Sequence, residues 1–213
     1  VCITDTLFIT VTPVNDPPFG TGVGGSGNET MTVTEDDPAT TSPNLLANNS
    51  DPDGDPLSIG TITSSAGGTI VNNGNGTIDY TPAPNFSGID TVTYQVCDPT
   101  PVCITDTLFV TVLPVNDPPS QGNESMGPIV EDTSTPTTSP ILTANNIDPD
   151  GTTITVTAIV SNTGGGTVVI NPGDTTVNYT PALNFNGIDT VIYTVCDAGT
   201  PLPIICLNDT LFV

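Results

Sequence analysis

The stretch Tyr80–Pro119 reads YTPAPNFSGIDTVTYQVCDPTPVCITDTLFVTVLPVNDPP. Apolar and polar residues alternate from Ile89 to Val96 and again from Ile104 to Leu113, the period-2 pattern of half-buried strands. Two cysteines, Cys97 and Cys103, flank the short loop between them. An Asn-Asp-Pro-Pro exit follows, whose prolines end the strand and stiffen the chain beyond it. The front of the stretch recurs at 179–197 as YTPALNFNGIDTVIYTVCD, with 15 of 19 positions identical. Its back recurs at 1–18 as VCITDTLFITVTPVNDPP. The chain is therefore a repeat array, a property that overrides any count of domains from length alone.

Val14–Pro18 matches Val115–Pro119 at an offset of 101, and Asp51–Gly54 matches Asp148–Gly151 at an offset of 97. A period of roughly 100 residues is the size of one small β-sandwich domain. The expected division is the last strand of a preceding repeat over 1–14, one repeat over 15–115, and a second over 116–213 with its last strand cut short. The array reads as a window onto a longer chain. No apolar run approaches the ~18 residues of a membrane span.

Other segments fit the same scheme. Val1–Val14 alternates, with Ile3, Leu7, Ile9 and Val11 on one face, and predicts a half-buried strand. Glu29–Thr34 and Leu57–Ser64 predict strands. Thr69–Val71 and Thr77–Thr81 flank Asn72–Gly76, whose Asn-Gly pairs favour the positive φ of hairpin turns. The second repeat predicts strands at Ile129–Val130, Thr152–Ser161, Gly166–Ile170, Thr175–Thr180, Ile188–Val195 and Leu207–Val213. Leu45 and Leu46 form a small apolar anchor, and DPDG at 51–54 and 148–151 is a turn. A threonine-rich chain favours strands over helices. About seven short strands per repeat indicate an all-β fold of tandem Greek-key sandwiches.

The 213 residues contain no Lys, Arg or His against 23 Asp and Glu, a net charge of −23. Nucleic-acid binding needs cations to neutralise phosphates and is excluded. Attraction to anionic membranes is excluded on the same ground. The field favours divalent cations or basic partners. Without His or Lys, neither a Ser-His-Asp nor a Cys-His set can form, and the acids sit in repeat-spaced turns, so catalysis is not expected.

Cys97 and Cys103, and Cys196 and Cys206, flank loops of five and nine residues. By parity Val92, Tyr94 and Val96 point to the core and Cys97 points away. On the next strand Cys103 likewise lies opposite Ile104, Leu108 and Val110. The two sulfurs come from one outer face of neighbouring strands, a geometry suited to a disulfide. Zinc binding and free thiols are the competing readings. Cys2 aligns with Cys103, and its partner is expected upstream. Disulfides would place the protein outside the cytosol.

The order EDD (35–37), NNSDPDGDPL (48–57), GNGTIDYTPAPNFSGIDTVTYQVCD (74–98) and PVNDPP (114–119) resembles bacterial cadherin-like and immunoglobulin-like tandem repeats. The resemblance covers essentially the whole chain. The cysteine-closed variant is similar to repeats in very large surface proteins and adhesins of the Bacteroidetes. It implies Ig-like or cadherin-like sandwiches, a stalk or adhesive role at the surface of a Gram-negative bacterium, and calcium at the junctions between domains. The junction candidates are Asn15, Asp16, Asp51 and Asp53 with Asp98, and Asn116, Asp117, Asp148 and Asp150. Glu35 and Asp36 from the domain before, or Asp197, would complete the set at the second of these junctions. The motif departs from cadherins in replacing the longer acidic linker by NDPP and in lacking an internal Asp-Arg-Glu. Against calcium stands the plainer reading of DPDG as a turn and NDPP as a stiff linker.

Asp-Thr-apolar triplets resemble the O-glycan acceptor of Bacteroidetes secreted proteins. They place candidate glycosylation at Thr6, Thr91, Thr107, Thr190 and Thr210, on the solvent face by parity. Alternating Thr after a strand-starting Asp is the competing reading. Phe8, Phe109 and Phe212 fall on the same outer face, either packing against a neighbour or turned inward by a bulge.

The expected function is a non-catalytic structural or adhesive segment of an extracellular fibre, stalk or adhesin. Its partners would be neighbouring repeats or protomers and surface glycans or proteins. The alternatives are a carbohydrate- or partner-binding module and a fibril subunit assembled by strand addition.

Overall fold

A computed structural model describes residues 3–20, 28–100, 102–173, 175–199 and 201–213. The chain divides into two units, Val1–Leu113 and Pro114–Val213. All described elements are strands.

In the first unit the strands are β1 (Phe19–Gly20), β2 (Glu29–Thr34), β3 (Thr40–Thr41), β4 (Asn49–Ser50), β5 (Ser58–Ser64), β6 (Thr69–Asn72), β7 (Ile78–Thr81), β8 (Gly88–Cys97) and β9 (Cys103–Leu113). One sheet runs β2-β9-β8-β5, a second runs β3-β7-β6, and β1 pairs with β4. β8 and β9 form an unbroken antiparallel ladder from Gly88↔Val112 to Cys97↔Cys103. β2 adds to the far edge of β9 in parallel, Glu29↔Leu108 through Thr34↔Leu113. Consecutive neighbours thus pair antiparallel, and the first strand returns beside the last, as a Greek-key sandwich requires. The alternation of β8 and β9 sends Val92, Tyr94 and Val96, and Leu108, Val110 and Val112, into one core. Met31 and Val33 of β2 extend the same face, and Leu45 with Ile78 and Tyr80 of β7 close the core from the other side.

The second unit repeats the plan with β10 (Glu124–Ser125), β11 (Thr137–Thr138), β12 (Thr155–Asn162), β13 (Thr167–Ile170), β14 (Val177–Thr180), β15 (Thr190–Cys196) and β16 (Cys206–Phe212). The sheets are β10-β16-β15-β12 and β11-β14-β13. The core is built on Leu142, Tyr179, Val191, Tyr193, Val195 and Leu211.

Both cysteine pairs are disulfides, Cys97–Cys103 and Cys196–Cys206, each joining directly opposed residues of its final hairpin. Cys97 is nonetheless largely covered: a bulge in β5 between Ile59 and Ile62 lays Gly60 over it, where an added Cβ would stand 3.1 Å from the Cys97 sulfur. Cys2 lies outside the described residues.

Two expected strands are not formed. Residues 3–18 carry no ladder, and Ile3, Leu7, Phe8, Ile9 and Val11 are exposed. By repetition this segment corresponds to β9, and the strand that β9 pairs with, β8, already has both edges taken by β5 and β9. The strand expected at Ile129–Val130 is displaced to Glu124–Ser125. Pro128 immediately precedes Ile129 and cannot donate to a ladder, so pairing stops before it.

Candidate functional site

Acids and amides gather at corresponding places in the two units. In the first, DPDG forms its turn through the Gly54 N–H on the Asp51 carbonyl at 3.1 Å, with Gly54 at φ +79. Asp51 Oδ1 then caps the turn by accepting the Asp53 N–H at 2.8 Å. The NDPP segment reaches back to this turn. The Asp16 N–H donates to Asp53 Oδ2 at 2.7 Å, and Asn15 Nδ2 donates to Asp98 Oδ2 at 2.8 Å. Asp98 in turn organises the disulfide loop, accepting the Thr100 and Val102 N–H groups on Oδ1 at 2.8 and 2.9 Å. The Asn15 amide and these backbone donors hold the Asp98 carboxyl down at about 2.

The second unit reproduces the set. Asn116 Nδ2 donates to Asp197 Oδ2 at 2.8 Å, and the Asp117 N–H donates to Asp150 Oδ2 at 2.7 Å. Asp197 Oδ1 accepts the Gly199 N–H at 2.7 Å and the Ile205 N–H at 3.1 Å. Asp148 accepts both the N–H and the hydroxyl of Thr152, at 3.2 and 3.0 Å. So Asn15, Asp16, Asp51, Asp53 and Asp98 meet in one unit, and Asn116, Asp117, Asp148, Asp150 and Asp197 meet in the other. Glu35 and Asp36 belong to the first unit beside the end of β9, where the buried Glu35 gives its N–H to the Leu113 carbonyl at 2.9 Å. Asp36 is exposed, in the left-handed region at φ 60.

The donor chemistry fits a hard cation. Every side-chain donor is an oxygen, and Asp51 Oδ2 and Asn116 Oδ1 are buried with no hydrogen-bond partner among the described residues. Calcium takes six to eight such oxygens. The carboxylates are paired rather than gathered about one point: among the described residues no group of three Asp or Glu is close enough to hold a metal. Binding would need them drawn together.

The acids of the Asp-Thr triplets have a structural task. Parity places Asp90 and Asp106 on the inward faces of β8 and β9, and both are buried, as are Asp189 and Asp209. Asp90 accepts the Tyr80 hydroxyl at 2.8 Å, the Ser64 hydroxyl at 2.5 Å and the Ser65 and Ala66 N–H groups at 2.9 Å. Asp189 accepts the Tyr179 hydroxyl at 2.8 Å and the Gly164 N–H at 2.6 Å. Burial alone would raise these carboxyls, but the donors outweigh it and both sit below the ordinary value. Thr91, Thr107, Thr190 and Thr210 alternate to the outer face and are half-buried, while Thr6 is exposed. Phe109 stands across from Thr91 in a ladder without a bulge, so the inward turn considered for it does not occur. Phe212 is 40% exposed and lines an open, mainly apolar groove of ≈ 520 Å³ with Met126, Ile129, Tyr179, Phe185 and Ile188.

Sequence reasoning passed over a second acidic group in each unit. Glu124 accepts the Tyr193 hydroxyl on Oε2, and burial and the nearby Asp209 push its carboxyl up to about 7, although the Tyr193 bond opposes them. Glu29 receives Tyr94 at 2.6 Å in the same way. The available signal was an acid on the inward parity of a strand, repeated in both copies.

Residues 15–111 match the family described as bacterial Ig domain, and residues 115–202 match the cadherin-like domain. No curated protein matches the chain. Among solved structures, mouse cadherin-23 EC22–24 is similar at 16% identity with a TM-score of 0.52, covering 93% of this chain and 66% of that one. Human mucin-like protocadherin EC1–2 is similar at 20% identity with a TM-score of 0.50, covering 87% and 94%. The protocadherin GammaB4 extracellular domain gives 17% identity and a TM-score of 0.48; 93% of this chain spans only 35% of that one. At these identities the likeness is one of fold.

Proposed function

We propose that this chain, a tandem of bacterial Ig-like and cadherin-like repeats, is a non-catalytic structural and adhesive segment of an extracellular repeat fibre, stalk or surface adhesin. The observation that carries the reading is the recurrence of one junction device. In both units the Asn-Asp of NDPP is tied to the repeat that follows it, Asn15 to Asp98 and Asp16 to Asp53, then Asn116 to Asp197 and Asp117 to Asp150. Each linker is thereby made part of its own domain. The prolines after it restrict the backbone further. A segment built this way serves to transmit position and load. The lack of any Lys, Arg or His leaves no ordinary base or nucleophile pair for chemistry. Disulfide closure of each final hairpin suits an oxidising exterior.

Calcium at the junctions fits the same reading. It would be held by Asn15, Asp16, Asp51, Asp53 and Asp98 in one repeat, and by Asn116, Asp117, Asp148, Asp150 and Asp197 in the next. Bound there, it would supply the positive charge that the chain lacks and draw the paired carboxylates together. Glu35 and Asp36 would contribute from the preceding repeat. Thr6, Thr91, Thr107, Thr190 and Thr210 are the proposed O-glycan acceptors, at the surface of a Gram-negative cell. The partners are then neighbouring repeats or protomers, and surface glycans or proteins.

Negative-stain imaging of the secreted protein tests the role. Thin beaded filaments support it, and monodisperse globules that bind a defined glycan would overturn it. Chelation tests the ion: EDTA should lower the melting temperature, and an unchanged melt disposes of calcium at the junctions. An intact mass equal to the bare 21.7 kDa, allowing for disulfide hydrogens, would remove the sugars from this segment.

A further inference from the structure

The cores of both units contain a cluster of buried polar groups that neither the junctions nor the disulfides use. In the second unit it is assembled from three elements. Glu124 opens β10 and pairs with Leu211 of β16. Asp209 lies on β16 directly across from Tyr193 of β15. Asn146 ends the loop that carries Leu142 into the core. Gly122 closes the arrangement: a Cβ there would stand 2.6–2.8 Å from Asn145, so only glycine lets these two segments touch. That approach puts the Gly122 N–H on Asp209 Oδ2 at 2.9 Å, and the Asn146 amide reaches the same oxygen at 2.9 Å.

The donors do not go round. Glu124 and Asp209 are 6% and 2% exposed, and Asn146 is 8% exposed. The Tyr193 hydroxyl has one proton. It gives it to Glu124 Oε2, which leaves the Leu142 carbonyl, 3.1 Å from the same hydroxyl, without that donor. Glu124 Oε1 and Asn146 Oδ1 are sealed from solvent and meet no hydrogen-bond partner among the described residues. A buried acceptor left unsatisfied costs about 1–3 kcal/mol, and a buried unpaired charge costs more. In most proteins an Arg or Lys would answer such a carboxylate pair. This chain has none, so neutralisation falls to a proton on one carboxyl or to a cation from solution.

The first unit has the same set at equivalent positions. Tyr94 donates to Glu29 Oε2 at 2.6 Å and lies 3.3 Å from the Leu45 carbonyl. The Asn49 amide donates to Asp106 Oδ2 at 3.3 Å, and Asn49 Oδ1 is again buried without a partner. Two differences are that the Asn48 amide also approaches Glu29 here and that the Asn49 amide donates to the Leu45 carbonyl at 3.2 Å.

We propose that each repeat carries an internal binding site for a hard divalent cation such as Ca²⁺, separate from its junction, formed by Glu124, Asp209, Asn146 and the Leu142 carbonyl in one unit and by Glu29, Asp106, Asn49 and the Leu45 carbonyl in the other. Carboxylate, amide and main-chain oxygens with no nitrogen or sulfur suit Ca²⁺ over zinc or copper. The bound ion would neutralise the two carboxylates and take up the orphaned oxygens. It would tie the first strand of each sandwich to the last strand and to the loop before DPDG. The site does not depend on the junction reading.

The experiment uses Tb³⁺ as a calcium substitute on the oxidised two-repeat protein. The chain has no Trp, so any sensitised terbium emission reports a nearby tyrosine. Tyr94 and Tyr193 touch the proposed ligands directly. Wild type should give sensitised emission that excess Ca²⁺ displaces. The pair E29Q/E124Q, which keeps shape and removes charge, should lower Tb³⁺ affinity at least about tenfold. D106N/D209N is the second variant should the first fail to fold. The junction pair D53N/D150N should retain the part of the emission that E29Q/E124Q removes. The proposal is overturned if wild type shows no sensitised emission. It is also overturned if a folded E29Q/E124Q protein emits as wild type does, or if D53N/D150N abolishes the signal.

Discussion

The Tyr179 hydroxyl donates to Asp189 Oδ2 at 2.8 Å with both residues fully buried, and Tyr80 donates to Asp90 Oδ2 at the same 2.8 Å in the other repeat. These acids fold back the turn after β5 or β12 and fasten it to the core. Their native carboxyls are held below the ordinary 3.8. The stabilisation is therefore fully present above that value and is lost as pH falls through the depressed native one. Urea midpoints should fall steeply below about pH 4 in wild type. Asp90→Asn and Asp189→Asn should each cost about 1–3 kcal/mol at pH 7, and the cost should shrink in acid. Glu124 has the opposite sign. With its carboxyl raised from 4.5 to about 7 by burial and by Asp209, against the Tyr193 bond, the second repeat freed of metal by a chelator should lose stability as pH climbs through that interval.

Those tyrosines also require glycine opposite them. A Cβ on Gly68 would stand 2.4–2.7 Å from the Tyr80 ring, and one on Gly166 would stand 2.8 Å from the Tyr179 ring and 2.6 Å from the Thr180 carbonyl. Gly68→Ala and Gly166→Ala should each destabilise by about 1–3 kcal/mol in denaturant titrations, because a packed core resists added volume. Gly54→Ala is the comparison: nothing lies within 4 Å there, and only the positive φ is penalised.

The two disulfides close sequence separations of 6 and 10. Loop entropy assigns them about 2.4 and about 2.8 kcal/mol. Reduction should lower stability by amounts of this order, and slightly more in the second repeat. Urea unfolding of Cys97→Ser/Cys103→Ser and Cys196→Ser/Cys206→Ser proteins checks both numbers.

The junction amide is a local switch on Asp98. Asn15→Ala removes the leading influence that holds this carboxyl at about 2, so its pKa should rise toward the ordinary 3.8. Titration by NMR of the side-chain carboxyl reads the change directly. No movement would mean that the Thr100 and Val102 N–H groups alone set the value.

The long strands were legible because parity is strict there. β8 and β9 bury Val92, Tyr94, Val96, Leu108 and Val110 as their alternation requires, and the opposed Cys97 and Cys103 follow from the same register. Glu29–Thr34 was readable to the residue. Val1–Val14 was not, because alternation reports a face to be buried and not whether a partner edge is free. Ile129–Val130 failed because apolarity was weighed without the missing N–H of Pro128. The junction residues were named through the family resemblance, and the fold brings them into hydrogen-bonded pairs. Glu29, Glu124, Asn49 and Asn146 were missed because a polar residue near a strand start reads as solvated. Only the three-dimensional return of β2 beside β9, and of β10 beside β16, brings them under a tyrosine.

Whether these repeats are consecutive links of an extracellular fibre is read from a cryo-EM map of the native particle. One continuous chain path should pass from each final hairpin through NDPP into the next repeat. A particle whose chains end within each bead, or a globular particle with these repeats bound around a ligand, would contradict it.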